Sequence, residues 1–464
     1  MINQYESKKK FNNYILNLFL AFLTFTILFG RSFTGVYLFN FRIGELMIGF
    51  CLVVSLVLLL LPYENKIIKF DKFQFYVHKI LLVQFVLVVF LTNTSIFNVY
   101  TYRSSSYIWT FVFLYVSLFL TKNLSKESWF LKATPLFLPG LYILSTIKYP
   151  EFLINFFQNY SDKFDFVKAS DLLVVYIASN FLLRKRYKNS MSDFIYFIIS
   201  SAVYLPYLLF KSKGAFLPAV LFVLFNFFFY IKIIRNEKIK SFLIILVSVP
   251  IFLASTFHIY GNLNFTKQGM DNYEQIESIV SSDQIRDNLS SLINEKNTGE
   301  IFYSFYIMDG RLYSQEQMAD WRLQIWQDIY RDLFYESEYF EDDNYKLVRI
   351  EKERRNDIFY KGFGYNELLP AMNHWERQGT DGTNENPHNF LIYSLGRGGI
   401  FQPILIILFH ISIFSYWYRK YKNFDILLYQ LPIVMTSLFD ASMESVRFPF
   451  IFYSYLGIIL NEKF

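Results

Sequence analysis

Residues 43–62 read IGELMIGFCLVVSLVLLLLP, and Glu45 is the only charged side chain among them. A helix needs roughly 17–25 apolar residues to cross a bilayer, so this stretch predicts a membrane-spanning helix. Comparable apolar blocks recur along most of the chain. Of its 464 residues 53% are hydrophobic and only 18% are charged, whereas soluble domains carry about 25% charged residues. The sequence therefore predicts an all-α polytopic membrane protein.

The same length criterion divides the chain into about twelve spans. Residues 1–258 hold nine of them, residues 259–387 form one long polar stretch, and residues 388–464 hold the last three. The predicted spans are 12–30, 43–62, 80–98, 107–121, 130–147, 170–183, 194–210, 214–234, 241–258, 399–417, 426–442 and 447–461.

Lysine and arginine in the short loops predict the orientation, because cytoplasmic loops carry an excess of these residues. With twelve spans, the cation-rich loops all fall on one side, and both termini are expected in the cytoplasm. The loops on the opposite side hold fewer cations. The cation-rich loops contain Lys8, Lys9, Lys10, Lys66, Lys69, Lys72, Lys122, Lys126, Arg184, Lys185, Arg186, Lys188, Arg235, Lys238, Lys240, Arg419, Lys420 and Lys422.

The polar residues 259–387 would lie outside the cytoplasmic membrane, between the ninth and tenth spans. They are rich in aspartate and glutamate, and their aromatic content argues against disorder. Residues 315–335 have apolar side chains at helical spacing, which predicts an amphipathic helix. We therefore expect a folded external loop subdomain. The apolar positions of that helix are Met318, Trp321, Ile325, Ile329 and Leu333.

The stretch Asn386-Pro387-His388-Asn389-Phe390-Leu391 ends this polar segment, where the chain re-enters an apolar run. A neutral imidazole at such a boundary can accept a proton from a hydroxyl nucleophile, which makes His388 a candidate catalytic base. Asn389 can orient the histidine, donate a hydrogen bond to an anion, or cap the following helix. The alternative is that His388 is simply a polar residue at the interface.

Several cations are expected on the external side together with His388. Arg322 lies on the amphipathic helix, and arginine binds phosphates through a planar fork of donors; the alternative is a solvated helix charge. Lys211 and Lys213 flank a short external turn before a helix start, which can form an anion site; the alternative is snorkelling to lipid phosphates. Near-membrane charges also occur together at Asp440, Glu444 and Arg447, with Arg103 a weaker member of the set.

Other kinds of site have little support in the sequence. Gly362-Phe363-Gly364 predicts a tight or flexible turn and lacks the residues of a nucleotide-binding loop. Asp342-Asp343 is an isolated acidic pair, more typical of a solvated surface. Cys51, the single cysteine, lies in an apolar run and offers neither a disulfide nor a metal site. No cofactor and no metal are therefore expected.

Taken in order, these motifs resemble the O-antigen ligase and O-antigen polymerase superfamily, bacterial multi-spanning glycosyltransferases of the GT-C type. The resemblance covers about residues 195–420. Lys213 stands where the family usually has arginine, and Arg397 stands where an acidic residue is common. The matching motifs are Ser212-Lys213-Gly214, then Arg322 with Ile325-Trp326, then Gly362-Phe363-Gly364, then His388-Asn389 with Leu395 and Gly399-Ile400.

The resemblance implies transfer of a glycan from an undecaprenyl-diphosphate-linked donor to a sugar hydroxyl, on the outer side of a bacterial inner membrane. His388 and Arg322 would be catalytic, and Lys211, Lys213, Asn389 and Arg447 would bind substrate. The expected partners are the lipid-linked donor, a glycan or lipid A–core acceptor and the lipid bilayer, with a chain-length regulator as an optional further partner and no nucleic acid. A polymerase is slightly favoured over a ligase.

A different class of protein stays open from the sequence, namely a transporter or a flippase for lipid-linked oligosaccharides. Twelve spans would suit it. The chain shows no matching halves, however, and alternating access has no need of a large external subdomain.

Overall fold

The computed structural model describes most of the chain, although part of the polar segment 259–387 lies outside it. Lys66, Lys69, Lys126, Lys188 and the pair Asp342-Asp343 lie outside the described residues. The described residues are 2–60, 71–122, 124–125, 127–146, 150–161, 167–187, 190–261, 305–308, 310–315, 317–341, 347–374, 377–378 and 384–461.

The described chain is mostly helical, as the apolar runs predict. Longer helices alternate with short ones that turn the chain at either end of the bundle. The helices are Ile2–Thr34, Ile43–Leu60, Lys72–Leu91, Val99–Ser104, Ser106–Trp109, Val112–Thr121, Trp129–Thr146, Glu151–Tyr160, Ala169–Tyr187, Met191–Lys211, Lys213–Phe227, Ile231–Asn236, Lys238–Gly261, Gln317–Asp332, Asp357–Lys361, Phe390–Gly398, Phe401–Tyr421, Asp425–Thr436 and Arg447–Asn461, with 3₁₀ turns at Phe228–Tyr230 and Pro370–Met372.

Within the described residues, seven helices are long and apolar enough to cross a membrane. This confirms a polytopic membrane protein, while the count of twelve spans stays a prediction. The other five predicted spans correspond to helices that are shorter, bent or charged, such as Trp129–Thr146, which turns by 81° into Glu151–Tyr160. The seven are Asn12–Thr34, Ile43–Leu60, Lys72–Leu91, Met191–Lys211, Lys213–Asn236, Lys238–Ile259 and Phe401–Tyr421.

The third predicted span was placed too late in the sequence. Residues 80–98 were expected to cross the membrane, but the helix runs over Lys72–Leu91. Its first turns carry Gln74 and His78, whose polarity argues against a span. Both side chains are buried in the structure, and the helix packs along Phe401–Tyr421. Contact with another helix, instead of lipid, allows these polar residues within the span.

Two helices form the centre of the bundle, Ala169–Tyr187 and Arg447–Asn461. Nearly all their side chains are buried on every face, so other helices surround them in place of lipid. Gly457 allows close packing, because a Cβ there would collide with Ser117 of the neighbouring helix. The Ser117 hydroxyl also donates a hydrogen bond of 2.7 Å to the Ser454 carbonyl. Such small-residue contacts let membrane helices approach closely.

The described part of the polar segment 259–387 is folded around helix Gln317–Asp332, named here the loop helix. Two antiparallel hairpins flank it, Phe305–Met308 with Arg311–Ser314 and Tyr335–Glu341 with Leu347–Arg354. A third hairpin, Tyr37–Leu38 with Phe41–Arg42, lies earlier in the chain. The amphipathic helix predicted over residues 315–335 is observed over Gln317–Asp332. Its predicted apolar positions Ile325 and Ile329 are buried, as is Leu333 just after its end, whereas Met318 is exposed.

Buried ion pairs hold the loop helix to the hairpins. Asp328 is almost fully buried and pairs with Arg311 at 2.7 Å and with Arg377 at 2.9 Å. Asp332 lies one turn later and pairs with Arg349 at 3.0 Å. Breaking a buried pair by removing one member leaves an uncompensated charge, so these contacts fix the position of the helix.

Ion pairs between distant segments collect at two opposite ends of the bundle. Helix Ala169–Tyr187 carries Asp171 at one end and Lys185 at the other, about 20 Å apart at 1.5 Å per residue. Asp171 pairs with Arg447, and Lys185 pairs with Asp425. Arg419, from a loop predicted to be cytoplasmic, pairs with Asp71 at 2.5 Å. The predicted orientation requires such a separation, and the orientation itself stays a prediction.

Candidate functional site

The loop helix packs directly on helix Phe390–Gly398, named here the His-Asn helix. Gly396 faces Ile329, and a Cβ at Gly396 would lie 3.2 Å from an Ile329 methyl group. The Trp326 indole donates a hydrogen bond of 2.6 Å to the carbonyl of Pro387. These contacts bring the first half of the loop helix, which carries Arg322, to the chain immediately before the His-Asn helix.

Asn389 forms the N-cap of the His-Asn helix, as the sequence predicts. Its side-chain oxygen accepts a hydrogen bond of 3.0 Å from the Ile392 N–H. The amide nitrogen stays the only side-chain donor of Asn389, so any hydrogen bond from Asn389 to a substrate anion must come from that nitrogen. His388 precedes the cap with a φ of 55°, a left-handed conformation that non-glycine residues adopt rarely and that is often found at functional sites.

His388 is half-buried between the loop helix and the chain that follows Thr436. The Trp321 ring meets its imidazole edge-on at 5.8 Å between ring centroids. The Nδ1 atom lies 3.9 Å from Oδ1 of Asp440 and has no hydrogen-bond partner among the described residues. A carboxylate on this side favours a tautomer in which the other ring nitrogen, Nε2, is free to accept a proton.

The surroundings keep the imidazole uncharged. Burial, followed by the positive charge of Arg322, lowers the pKa of His388 to about 4, although Asp440 acts in the opposite direction. Lys168 also lowers this pKa. A histidine with so low a pKa is neutral at physiological pH, which is the state that a general base requires.

Arg322 reaches this cluster from the loop helix. It is half-buried, and its Nε atom is buried without a hydrogen-bond partner in the described structure. Natural proteins pair nearly all their buried polar atoms, so the unpaired guanidinium nitrogen of Arg322 and the unpaired imidazole nitrogen of His388, which interact electrostatically, are available to a polar ligand. The structure thus brings together the two residues predicted to be catalytic.

Residues 437–446, named here the 437–446 segment, connect this cluster to the turn at Ser212-Lys213-Gly214. A Cβ on Gly214 would lie 2.9 Å from Cβ of Phe439, which explains why glycine is needed there. The Phe439 ring also contacts Trp326 of the loop helix at 6.4 Å. The predicted eleventh span, 426–442, ends early at Thr436, and this shortening leaves the segment available to carry Asp440.

The turn itself places Lys211 and Lys213 at the His388 end of the bundle. Lys213 begins helix Lys213–Phe227 directly after its N-cap, Ser212. The Lys211 ammonium lies 5.9 Å from the centroid of the Tyr207 ring. The turn is therefore linked to His388 indirectly, because Phe439 lies against Gly214 and the next residue, Asp440, lies 3.9 Å from His388.

Two other predicted cations of the external side form ion pairs. Arg447 pairs with Asp171, and both side chains are about 4% exposed. Its charge is therefore balanced within the protein, which weakens its predicted role as a substrate-binding cation and makes it a clamp between the two central helices. Arg103 pairs with Glu385 at 3.2 Å, three residues before His388.

The Gly362-Phe363-Gly364 motif is a tight turn that supports the His-Asn helix from its far end. Both glycines have positive φ, 70° and 78°, and a Cβ at Gly362 would collide with the Arg397 carbonyl. The Gly364 N–H donates a hydrogen bond of 3.0 Å to that same carbonyl. The Arg397 guanidinium lies over the rings of Tyr100 and Tyr393. The C-terminal end of the His-Asn helix is therefore held in place by this turn and has a structural role.

Two charged residues near His388 were not among the predicted site residues. Lys168 precedes helix Ala169–Tyr187 and acts electrostatically on both His388 and Glu444. The sequence predicts Glu444 only as one of three near-membrane charges, with Asp440 and Arg447. Neither belongs to a recognisable motif, and their proximity depends on how segments far apart in sequence pack.

No known protein family, curated protein or solved structure significantly matches this chain.

Proposed function

We propose that this protein is a membrane glycosyltransferase that moves a glycan from a polyprenyl-diphosphate-linked donor onto a sugar hydroxyl, outside the cytoplasmic membrane of a bacterium. The observation that carries the proposal is the convergence of His388, Asp440 and Arg322, with orphaned polar nitrogens on His388 and Arg322. A neutral base beside a buried cation suits a reaction between a hydroxyl and an anionic leaving group.

In the proposed step, the acceptor hydroxyl attacks the anomeric carbon of the donor sugar. The new bond joins that carbon to the acceptor oxygen, and the bond to the diphosphate oxygen breaks. The acceptor proton passes to Nε2 of His388, while the electron pair leaves with the diphosphate. Asp440 stabilises the imidazolium that forms, as a carboxylate beside Nδ1 does in other proton-transfer sites.

The leaving diphosphate needs positive charge, because it departs with an additional negative charge. We assign this task to Arg322, whose planar donors match phosphate oxygens, with Lys213 and Lys211 on the adjoining turn. A positioned base contributes about 10²–10⁴ in rate, and charge stabilisation in a dry site is usually at least as large. Arg447 contributes less, since Asp171 already balances it.

We favour a polymerase, which joins one lipid-linked repeat unit to another, over a ligase, which transfers a finished chain to lipid A–core. The support is the resemblance alone. A polymerase would work beside a chain-length regulator, and in both cases the glycan would lie beneath the external loop subdomain.

A strain lacking this gene tests the proposal when lipid-bound glycans are separated by length. Single-repeat products in the deletion strain indicate a polymerase, and free long chains with a bare core indicate a ligase. Lipid-linked units confined to the inner leaflet would contradict the proposal and favour a flippase.

Complementation then tests the residue assignment. The wild-type gene and a His374→Ala variant, which changes another histidine of the same loop, should restore the glycan. The His388→Ala variant should not restore it, although the protein is present in the membrane at normal level. Restoration by His388→Ala would remove this residue from the catalytic role.

A further inference from the structure

Glu444 is held in place from both sides along the chain. The Ser106 hydroxyl donates a hydrogen bond of 2.8 Å to the backbone carbonyl of Glu444. Three residues later, Arg447 pairs with Asp171 of the adjacent central helix. The backbone at Glu444 is thus anchored to two other helices, and its carboxyl group points into the packed end of the bundle.

The carboxyl group of Glu444 has no hydrogen-bond partner within the described residues. Both of its oxygens are buried. Asp328, another buried carboxylate of this protein, is instead paired with Arg311 and Arg377. A buried polar group without a partner is costly, and a ligand that binds beside it would complete its hydrogen bonds.

The groups facing Glu444 are those of the His388 cluster. Asp440 of the same segment and Lys168, just before helix Ala169–Tyr187, interact electrostatically with Glu444, and so does Tyr393 of the His-Asn helix. Burial raises the pKa of Glu444 to about 8, and Asp440 acts in the same direction. The nearby backbone N–H groups of Glu444 and Ser442, and the charge of Lys168, act in the opposite direction. Glu444 is therefore mainly a neutral acid at pH 7, able to donate a hydrogen bond.

We propose that Glu444, in its neutral form, donates a hydrogen bond to a phosphate oxygen of the lipid-linked donor, and that Lys168 provides a further cation for the same diphosphate. The inference rests on the proposed function and identifies two donor-binding residues beyond it. An O–H group that meets a phosphate anion forms a short, charge-assisted bond. An ionised carboxylate in the same place would repel the anion.

Binding of undecaprenyl diphosphate to the purified protein tests this inference when the dissociation constant is measured between pH 6 and pH 9.5. The wild-type affinity should fall above about pH 8, as Glu444 ionises. A Glu444→Gln variant keeps a donor that cannot ionise, so its affinity should not fall there. Glu444→Ala should bind roughly tenfold more weakly or worse at pH 7, the loss expected for one hydrogen bond to a charged group.

Controls separate this effect from general damage. Glu338→Gln changes an exposed glutamate paired with Lys352 and should retain the wild-type pH dependence. Lys168→Gln should weaken binding at every pH and should lower the salt dependence of binding. An equal wild-type affinity at pH 7 and pH 9, or Glu444→Gln binding as weakly as Glu444→Ala, would overturn the inference.

The same measurements distinguish this inference from the proposed function. Diphosphate binding with the expected pH dependence, but without glycan transfer, supports the role of Glu444 and rejects the glycosyltransferase. Glycan transfer with pH-independent diphosphate binding rejects the role of Glu444 alone.

Discussion

At the residue scale, Arg322 and Asp440 have opposite effects on the pKa of His388. Arg322 lowers the pKa of His388 and Asp440 raises it, while burial sets its low value of about 4. If His388 is the base, kcat/KM should stay level as the pH falls from 7 to 5 and should decline towards pH 4, where the imidazole becomes protonated.

Two substitutions should shift the acid limb of the pH profile, the decline of kcat/KM towards pH 4, in opposite directions. Arg322→Gln removes a positive neighbour, so the limb should shift to higher pH; Asp440→Asn removes a negative neighbour and should shift it lower. The pH profile of kcat/KM for glycan transfer measures both. Parallel shifts, or no shifts, would mean that another group titrates.

Arg322 also has a test that does not depend on pH. Arg322→Gln should lower kcat/KM by about 10²–10³, as removal of a charge-stabilising donor does in other enzymes. Arg322→Lys should recover part of this loss, because it restores the charge but not the planar fork. Arg331→Gln changes an exposed arginine of the same helix that pairs with Glu351. The Arg331→Gln control should leave kcat/KM nearly unchanged. An equal loss of kcat/KM in this control would mean that the effect of Arg322 is structural.

At the scale of single elements, Gln402 joins the His-Asn helix to the rest of the bundle. It accepts a hydrogen bond of 2.5 Å from the Tyr107 hydroxyl and donates to Gln84 at 2.9 Å and to Tyr365 at 2.6 Å. Gln84 in turn donates to the Gly398 carbonyl at 2.7 Å. Four chain segments therefore meet at one fully buried amide.

Gln402→Leu should destabilise the protein strongly, because the partners of the amide stay buried without it. Each unsatisfied group costs about 1–3 kcal/mol. Thermal unfolding in detergent measures the change, and Gln158→Leu, at an exposed position, is the matched control. An unchanged melting temperature for Gln402→Leu would show that this network does not hold the His-Asn helix.

The elements that sequence predicts well are those whose pattern is local. The loop helix followed from the spacing of Ile325, Ile329 and Leu333, and the N-cap from Asn389 before an apolar run. The start of the third span could not be predicted in this way. Gln74 and His78 are polar residues, and they are buried because their helix packs against Phe401–Tyr421. The same limit applies to Lys168 and Glu444, whose relation to His388 exists only in the folded chain.

At the scale of the whole molecule, the account requires the loop helix and the Lys185 end to lie on opposite sides of the membrane. Cys51, the single cysteine, is fully buried, so introduced cysteines can be labelled selectively. Lys352→Cys, on the external hairpin, should react with an impermeant maleimide in intact spheroplasts. Lys122→Cys, at an exposed position near the opposite end, should react only after permeabilisation. The reverse result would place His388 in the cytoplasm and end the proposal.

The most direct measurement uses the purified protein in vesicles that contain a polyprenyl-diphosphate-linked glycan and a sugar acceptor. The account predicts one free polyprenyl diphosphate for every glycosidic bond formed with the wild-type protein, and neither product above background with His388→Ala. Product formation by His388→Ala at the wild-type rate, or none by a correctly folded wild-type protein supplied with a range of lipid-linked donors and acceptors, would contradict it.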